Sequence, residues 1–255
     1  MIELAISRAT FCQHIDTQES LLELGPYARP QFRRPHFNVY YADICTPDQI
    51  RAEAAKHGYN PDLAPDHIDI IVNPDRDPSI QTDLRFRQLF SSHTIEHQPD
   101  LIRHLREMAN LADSPESIYF LAIPDRRYCF DHYQVDSTIA EVLGAHIEKR
   151  RRLLPSTLLQ NELFGCHNNE YNHWLNDHGP HPMTKLTIER IRECMTNAQR
   201  LLTEYVDSHA WKFTPESFDL IIELLYLLEL QPWRIERIWT TARGSNEFYA
   251  ILKLG

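Results

Sequence analysis

The feature that most restricts the fold of this chain is a series of short apolar runs separated by helix signals. Five runs rich in β-favouring residues are typical of strands: residues 21–24, 37–44, 68–72, 86–92 and 118–123. Between them, Thr46-Pro47-Asp48-Gln49 predicts a capped helix start, and residues 99–112 place apolar side chains at helical spacing. Apolar strands that alternate with helices imply a parallel sheet covered on both faces.

The C-terminal end departs from this alternation. Thr214-Pro215-Glu216-Ser217 predicts another capped helix, which must stop before Pro232. Residues 233–239 and 247–254 are then typical of two strands joined by a turn through Gly244. We therefore expect residues 214–255 to form the last helix of the core and a terminal β-hairpin.

The stretch over residues 125–213 is far longer than an ordinary connection. Residues 137–147 and 188–205 have helical spacing, whereas residues 164–183 are irregular and rich in histidine and asparagine. We expect one domain over residues 1–255, in which residues 125–213 form a largely helical insertion that acts as a substrate lid.

Composition and charge exclude several classes of protein. The chain has 26 basic and 36 acidic residues, and its net charge of -10 would repel a nucleic-acid backbone. No stretch approaches the ~20 apolar residues of a membrane span, and the N-terminal residues show no secretory leader. The five cysteines contain no C-x-x-C pair, so we expect free thiols. We therefore expect a cytoplasmic protein; the sequence leaves its oligomeric state open.

Polar residues follow the first three predicted strands, where ligands bind in open parallel sheets. Gly25 leaves room for a ligand, and Glu23 offers a carboxylate for an amino group. Asp43 stands where an acid can accept both hydroxyls of a ribose, and Asp75 or Asp77 could accept from an adenine amino group. The pattern indicates a nucleoside ligand.

Several of these segments resemble the class I S-adenosylmethionine (SAM)-dependent methyltransferases over roughly residues 18–128 and 214–255. The segments are Glu23-x-Gly25, Asp43, SSHTIEH at residues 91–97, Ile123-Pro124-Asp125 and the final hairpin. The chain is also similar to a bacterial subgroup with the patterns E-x-G-P, S-H-x-x-E-H, P-D-x-R-Y, F-T-P-E-S-F and G-S-N-E-F. The last three correspond here to residues 124–128, 213–218 and 244–248.

The resemblance implies an α/β, Rossmann-like, mostly parallel seven-stranded sheet in the order 3-2-1-4-5-7-6, with strand seven antiparallel. It implies SAM as the cofactor, with its methionine part at Glu23 and Gly25. It further implies that the ribose meets Asp43 and the adenine meets Asp75, while Ser92 or His93 lies near the methyl donor. Pro26 belongs to the same cofactor loop.

That loop departs from the family pattern E-x-G-x-G-x-G. After Gly25 the chain continues Pro26-Tyr27-Ala28-Arg29-Pro30, and these residues restrict the backbone where the family has glycines. A methyltransferase-like module that binds or scaffolds a partner without catalysis is therefore an open alternative.

Methyl transfer to a hydroxyl needs an aligned acceptor and a base that removes its proton. His97 or His93 is the candidate base, with Glu96 or Asp125 as its orienting partner. The subgroup resemblance and the long insertion suggest O-methylation of a small-molecule or glycan acceptor, as in polysaccharide modification.

Two other interpretations concern histidines. His93-Thr94-Ile95-Glu96-His97 spells the H-x-x-E-H signature of zinc metallopeptidases, with Glu162 or Glu170 as a third ligand. That signature needs a helix, whereas a predicted strand precedes it. The remaining histidines stand in the irregular segment and could bind a metal, form an acceptor lid or be solvated: His167, His173, His178 and His181. We assign no metal ligand from the sequence.

Two groups of basic side chains could receive an anionic substrate, or simply be solvated at helix ends. One group is the run Lys149-Arg150-Arg151-Arg152, and the other is Arg29 with Arg33 and Arg34.

Overall fold

A computed structural model describes residues 1–73 and 79–255 of the protein. Its centre is a seven-stranded sheet in the order β3-β2-β1-β4-β5-β7-β6. The strands are β1 (Leu21–Leu24), β2 (Val39–Asp43), β3 (Ile70–Ile71), β4 (Gln88–Ser92), β5 (Ile118–Pro124), β6 (Trp233–Trp239) and β7 (Glu247–Leu254). The predicted fold class and strand order are confirmed.

Strands β1 to β5 are parallel to one another, whereas β7 runs antiparallel to both β5 and β6. Strand β1 lies between β2 and β4. Strands β2 and β3 extend the sheet on one side of β1, and β4, β5, β7 and β6 extend it on the other side. The carboxyl ends of β1, β2, β4 and β5 therefore share one edge. Glu247, the first residue of the antiparallel β7, pairs with Pro124 at the end of β5 and joins the same edge.

The helices are α1 (Arg8–Cys12), α2 (Pro47–Lys56), α3 (Leu101–Leu111), α4 (Ile139–Ile147), α5 (Pro155–Phe164), α6 (Glu170–Trp174), α7 (Ile188–Arg200) and α8 (Pro215–Leu227). The predicted helix over 99–112 starts two residues later, because the side chain of Asp100 accepts a hydrogen bond from the Arg103 backbone N–H and caps it. Helices α1, α5 and α6 were not predicted from the sequence. None of the described helices is long and apolar enough to span a bilayer.

Both faces of the sheet are buried, as its continuously apolar strands predict. Alternate residues of a strand point to opposite faces. One face packs its side chains, among them Leu22, Leu89 and Leu121, against α3, α4 and α8. The other face, with Leu21, Phe90 and Phe120, packs against α1, α2 and the loop that follows β1.

Residues 125–213 leave the sheet after β5 and return to it before α8, and they contain α4 to α7. The two ends of this insertion meet, since the Arg126 backbone N–H donates to the Phe213 carbonyl at 2.9 Å. Helix α4 packs on the core through Val142 and Ala145. The irregular part at 164–183 contains the short helix α6 and a 3-10 turn at Pro182–Lys185.

Helix α8 provides a matched test of this core. Leu225 is fully buried, whereas Leu220 on the same helix is 60% exposed. We expect Leu225→Ala to lower the free energy of unfolding by about 2–5 kcal/mol, because it removes apolar contacts and leaves a cavity. Leu220→Ala should change it by less than about 1 kcal/mol in the same denaturant titration. Equal effects would contradict the packing of α8.

Candidate active site at the carboxyl edge of the sheet

The strand order reverses between β1 and β4, and a crevice at such a switch point is where open α/β sheets bind ligands. Gly25 follows β1 directly, is exposed, and has a left-handed backbone with φ of +62°. A Cβ atom added to it would lie 2.9 Å from the Thr94 Oγ1 atom. Backbone conformation and close packing therefore both require glycine here.

The loop after Gly25 alternates between buried and exposed residues. Pro26, Ala28 and Pro30 are buried, whereas Tyr27 and Arg29 are exposed. The exposed pair packs around Tyr59, with ring centroids of the two tyrosines 6.0 Å apart and the Arg29 guanidinium 5.7 Å from the Tyr59 ring. The residues that replace the family's glycines are thus accommodated by burial of Pro26, Ala28 and Pro30 and by packing of Tyr27 and Arg29 on Tyr59.

Glu23 organises this loop. Its carboxylate is 2% exposed and accepts hydrogen bonds from the backbone N–H groups of Gln31 at 2.6 Å and Phe32 at 3.1 Å. Burial raises the pKa of Glu23 to about 7, against the opposing effects of these two donors and of the nearby Arg33 and Arg8. Both carboxylate oxygens face the protein's own backbone, so Glu23 positions the loop.

Asp43 lies at the end of β2 and is 9% exposed. Burial raises its pKa, opposed by hydrogen bonds from the backbone N–H groups of Cys45, Tyr27 and Ile44. The charge of Asp207, from the insertion, contributes to the same shift. The insertion therefore comes close to the predicted ribose carboxylate. Asp75, the predicted adenine contact, and its alternative Asp77 lie outside the described residues.

The end of β4 carries a histidine held by a buried carboxylate. His93 has a φ of +50°, and its Nε2 atom lies 3.0 Å from Glu247 Oε2. Glu247 also accepts hydrogen bonds from both Arg8 and the Tyr249 hydroxyl, the latter at 2.6 Å. Burial opposes its charge, yet Arg8 and His93 hold the pKa of Glu247 well below its usual range. The carboxylate thus stays ionised and fixes one ring nitrogen of His93.

Arg8 joins this pair to the cofactor loop. Its guanidinium donates to Ser92 Oγ at 2.8 Å and to Gln31 Oε1 at 3.2 Å, besides its ion pair with Glu247. Gln31 is one of the two residues whose backbone Glu23 holds. The ends of β4 and β7 and the loop after β1 therefore form one connected network.

A second polar cluster lies one turn beyond β4. Glu96 is fully buried, and its Oε1 atom lies 3.5 Å from His97 Nε2 and 3.7 Å from His209 Nε2. The other ring nitrogens face carboxylates: His97 Nδ1 lies 2.8 Å from Asp207 Oδ1, and His209 Nδ1 lies 2.6 Å from Asp131 Oδ2. Three of the five residues come from the insertion.

In this cluster, the interactions between charged side chains outweigh the effect of burial on the pKa values. Burial lowers the pKa of His97, but Asp207 and Glu96 outweigh it and raise the pKa to about 10. Burial likewise raises the pKa of Glu96, and the imidazoles outweigh it so that the net shift is downward. His97 therefore carries its proton at neutral pH, a protonation state that does not suit the role of base.

The zinc-peptidase signature does not have the geometry it needs. Residues Ile95–His97 form a three-residue 3-10 turn, and His93 lies before it in a left-handed conformation. His93 binds Glu247, whereas His97 faces Glu96 and Asp207. The two imidazoles therefore do not share one face of a helix as H-x-x-E-H requires.

Asp125 has partners of its own. Its buried carboxylate binds the Arg127 guanidinium at 2.6 Å, accepts from Thr241 at 2.6 Å, and caps the turn Arg126–Tyr128. In the described part of the chain no hydrogen bond or ion pair joins it to His93 or His97. The carboxylates that face the two imidazoles are Glu247 for His93, and Asp207 and Glu96 for His97.

The histidines that lie together in the structure differ from the set predicted for the histidine-rich segment. His173 and His178 gather with His132, from the start of the insertion, while His167 bonds the Asp177 carbonyl and His181 caps the turn Pro182–Lys185. The basic run at 149–152 directly follows the end of α4, and Arg34 is paired with Asp69. These positions fit solvated helix ends and surface ion pairs.

Five residues of the two clusters were missed by sequence reasoning: Arg8, Asp131, Asp207, His209 and Glu247. Glu247 lies in the G-S-N-E-F segment, so the resemblance carried a signal for it. The others stand in no recognised pattern.

Two clefts lie on the protein surface. One, of about 340 Å³, is lined by residues such as Thr82 and Arg103, and the other, of about 620 Å³, by residues such as Arg34 and His36. Neither Gly25 nor Asp43 lines these two clefts.

Comparisons with known proteins agree with the topology. No family model matches the sequence, and no curated protein matches it. Among solved structures, one described as a putative Zn-dependent alcohol dehydrogenase from Rhodobacter sphaeroides is 11% identical over 96% of this chain and 88% of that chain, with a TM-score of 0.50.

Two other solved structures have TM-scores below 0.50. The CcbJ methyltransferase from Streptomyces caelestis is 12% identical over 97% of this chain and 88% of that chain, with a TM-score of 0.48. The DhpI–SAH complex is 14% identical over 97% and 84%, with a TM-score of 0.43. Such identities show the fold alone. The strand order, with β7 antiparallel to both of its neighbours, is that of a seven-stranded Rossmann-like sheet.

Glu23→Gln should remove the part of the pH dependence of the unfolding free energy that comes from the buried Glu23 carboxyl group. The folded protein keeps this proton up to about pH 7, whereas the unfolded chain releases it near 4.5, so the contribution of Glu23 to stability falls as the pH rises through this window. Relative to the variant, the wild-type protein should lose about 3 kcal/mol of unfolding free energy between pH 4 and pH 8. Denaturant titration at both pH values measures this.

The exposed Glu19 provides the control, since Glu19→Gln should leave the unfolding free energy nearly unchanged at both pH values. A difference between wild type and Glu23→Gln that stays constant with pH would show that Glu23 is not held as the structure has it.

Proposed function

We propose that this protein is a SAM-dependent methyltransferase that methylates a hydroxyl group on a small-molecule or glycan acceptor. The observation that carries the proposal is the grouping at one edge of a methyltransferase-type sheet. An exposed left-handed glycine follows β1, and a carboxylate is the last residue of β2. A histidine that is paired with a carboxylate follows β4. These groups match the parts of a nucleoside cofactor and a proton acceptor.

The residues around Gly25 fit the cofactor. The backbone of Gly25 is open to approach, and the loop side chains that could obstruct it are either buried or packed on Tyr59. Asp43 keeps oxygen lone pairs beyond those used by the backbone and would accept from the ribose hydroxyls. SAM supplies an electrophilic methyl group when bound. The chain's own residues then have only to align the acceptor and remove its proton.

His93 is the proposed catalytic base, and Glu247 is its positioning residue. The Nε2 atom of His93 is held by an ionised carboxylate, which orients the ring and leaves Nδ1 for the acceptor hydroxyl. Arg8 holds Glu247 and Ser92 in place from the other side. Proton transfer to His93 would produce an imidazolium that Glu247 stabilises directly.

The insertion over residues 125–213 is the proposed acceptor lid. It approaches the crevice through Asp207, which acts electrostatically on Asp43, and through Tyr205, whose hydroxyl donates to Asp207 at 2.9 Å. Polar side chains at the mouth of the crevice suit a polyhydroxylated acceptor. The similarity to the bacterial subgroup supports the same class of acceptor.

A methyltransferase-like module without catalysis is the second candidate, and one observation favours it. Glu23, which the resemblance places at the methionine part of the cofactor, uses both oxygens on the protein's own loop. A chain that had lost its cofactor could keep the loop closed in this way. Cofactor binding separates the two candidates.

Asp43→Asn should weaken S-adenosylhomocysteine (SAH) binding by at least about 10-fold, because it removes a charge-assisted acceptor of the ribose hydroxyls. Isothermal titration calorimetry measures the affinity. Asp66→Asn is the control, since that fully exposed carboxylate pairs with Arg51 at the surface and should leave the affinity unchanged. Failure of the wild-type protein to bind SAH or SAM would remove the enzymatic proposal and favour the non-catalytic module.

His93→Gln should lower the rate of methyl transfer by about 10²–10⁴-fold and change the SAH affinity far less, because it removes the proposed base and leaves Gly25 and Asp43 in place. Transfer from radiolabelled SAM to a panel of nucleotide sugars and oligosaccharides measures the rate. Glu247→Gln should lower kcat less strongly and leave KM nearly unchanged, since it misorients the base. The exposed His67 supplies the control variant, His67→Gln. Unchanged turnover in His93→Gln would exclude His93 as the base.

A further inference from the structure

The geometry points to a transition-metal site formed by Glu96, His97 and His209, of the kind that binds Zn²⁺ through two imidazoles and a carboxylate. This site goes beyond methyl transfer and does not depend on it. It joins the sheet edge, which supplies Glu96 and His97, to the end of the insertion, which supplies His209.

The spacing of the ligand atoms fits one ion. Zinc binds imidazole nitrogen and carboxylate oxygen at about 2.0–2.2 Å, so ligand atoms around a tetrahedral ion lie roughly 3.3–3.6 Å apart. Glu96 Oε1 lies 3.5 Å from His97 Nε2 and 3.7 Å from His209 Nε2, and the three ligand atoms lie within 4.8 Å of one another. The two rings are nearly perpendicular, at 85°, so they can approach one point from different directions.

Glu96 gives independent evidence for a ligand. It is fully buried, and in the described part of the chain neither of its carboxylate oxygens has a hydrogen-bond partner. The protonated His97 imidazole faces Glu96 at 3.5 Å without a close hydrogen bond, so the buried carboxylate is only loosely paired. Native proteins pair such buried groups closely or coordinate a metal with them. A cation between Glu96 and the two imidazoles would satisfy it.

The groups behind the imidazoles are those expected of a metal site. A metal-ligating histidine usually donates its other N–H to a carboxylate or carbonyl, which fixes the tautomer. His97 Nδ1 faces Asp207 Oδ1 at 2.8 Å, and His209 Nδ1 faces Asp131 Oδ2 at 2.6 Å. Both Nε2 atoms are thereby left to face Glu96.

The second histidine group is less suited to an ion. His132, His173 and His178 also bring ligand atoms together, but the rings of His132 and His178 are stacked 3.6 Å apart and only 10° from parallel. The lone pair of an imidazole nitrogen lies in the plane of its ring, so two parallel rings do not direct their lone pairs at one point. This group serves as an internal comparison for the test.

The fourth coordination position would be open to solvent. His97 and Asp207 retain 22% and 59% of their side-chain exposure, so water can reach this side of the cluster. Three protein ligands and an open position are typical of catalytic rather than closed structural zinc sites. The ion would also hold the end of the insertion against the sheet, where the Glu96 carbonyl already accepts from the backbone N–H groups of Ala210 and Trp211.

The test is metal binding by the full-length protein after treatment with a chelator. Titration with Zn²⁺, followed by elemental analysis and thermal unfolding, should show one ion per chain and a higher Tm. Co²⁺ in place of Zn²⁺ should give the visible absorption bands of a four-coordinate nitrogen and oxygen site. His97→Gln and His209→Gln should abolish both signals, and the exposed Asp207→Asn should weaken the affinity by about 10–100-fold without unfolding the chain.

His178→Gln is the matched control and should bind the metal like the wild-type protein. Absence of Zn²⁺ and Co²⁺ binding at micromolar concentrations would overturn the proposal. So would binding that survives His97→Gln and His209→Gln, or binding that His178→Gln abolishes. SAH affinity measured on the same samples keeps this outcome separate from that of the methyltransferase proposal.

Discussion

The parallel pairing of β1 with β2 on one side and with β4 on the other determines where every polar group of the candidate site lies. Parallel strands end at the same edge, so Gly25, Asp43 and His93 meet there although long stretches of chain separate them. The antiparallel β7 begins at that edge and contributes Glu247. A site at this position follows from the topology, whatever chemistry its residues carry out.

Burial of carboxylates is the main electrostatic cost at this edge, and the chain compensates each one differently. Glu23 is satisfied by two backbone N–H groups, Glu247 by Arg8 and His93, and Asp125 by Arg127 and Thr241. Glu96 differs, because in the described part of the chain its carboxylate oxygens have no hydrogen-bond partner and two imidazoles face it at 3.5 and 3.7 Å. A buried carboxylate without close hydrogen bonds supports the proposed cation site more strongly than the histidines alone would.

Much of the fold could be predicted from the sequence, and the misses have physical causes. The continuous apolar strands and the capping patterns at Thr46 and Thr214 are local signals, and both caps are present in the structure. Helix α5 starts at Pro155 with Leu154 as an N-cap that makes no side-chain hydrogen bond, and α1 has only five residues, so neither has a strong local pattern. The family resemblance supplied the strand order, which local patterns cannot give.

The sequence by itself determined the type of sheet, the two long core helices and the strand ends where a ligand can bind, because periodicity and capping act between neighbours in the chain. Only the tertiary structure decided which histidine meets which carboxylate. His93 binds Glu247 rather than Asp125, and His97 joins His209 rather than His93. These partners lie more than a hundred residues apart, and no local rule relates them: they meet because strands and insertion return to one edge of the sheet.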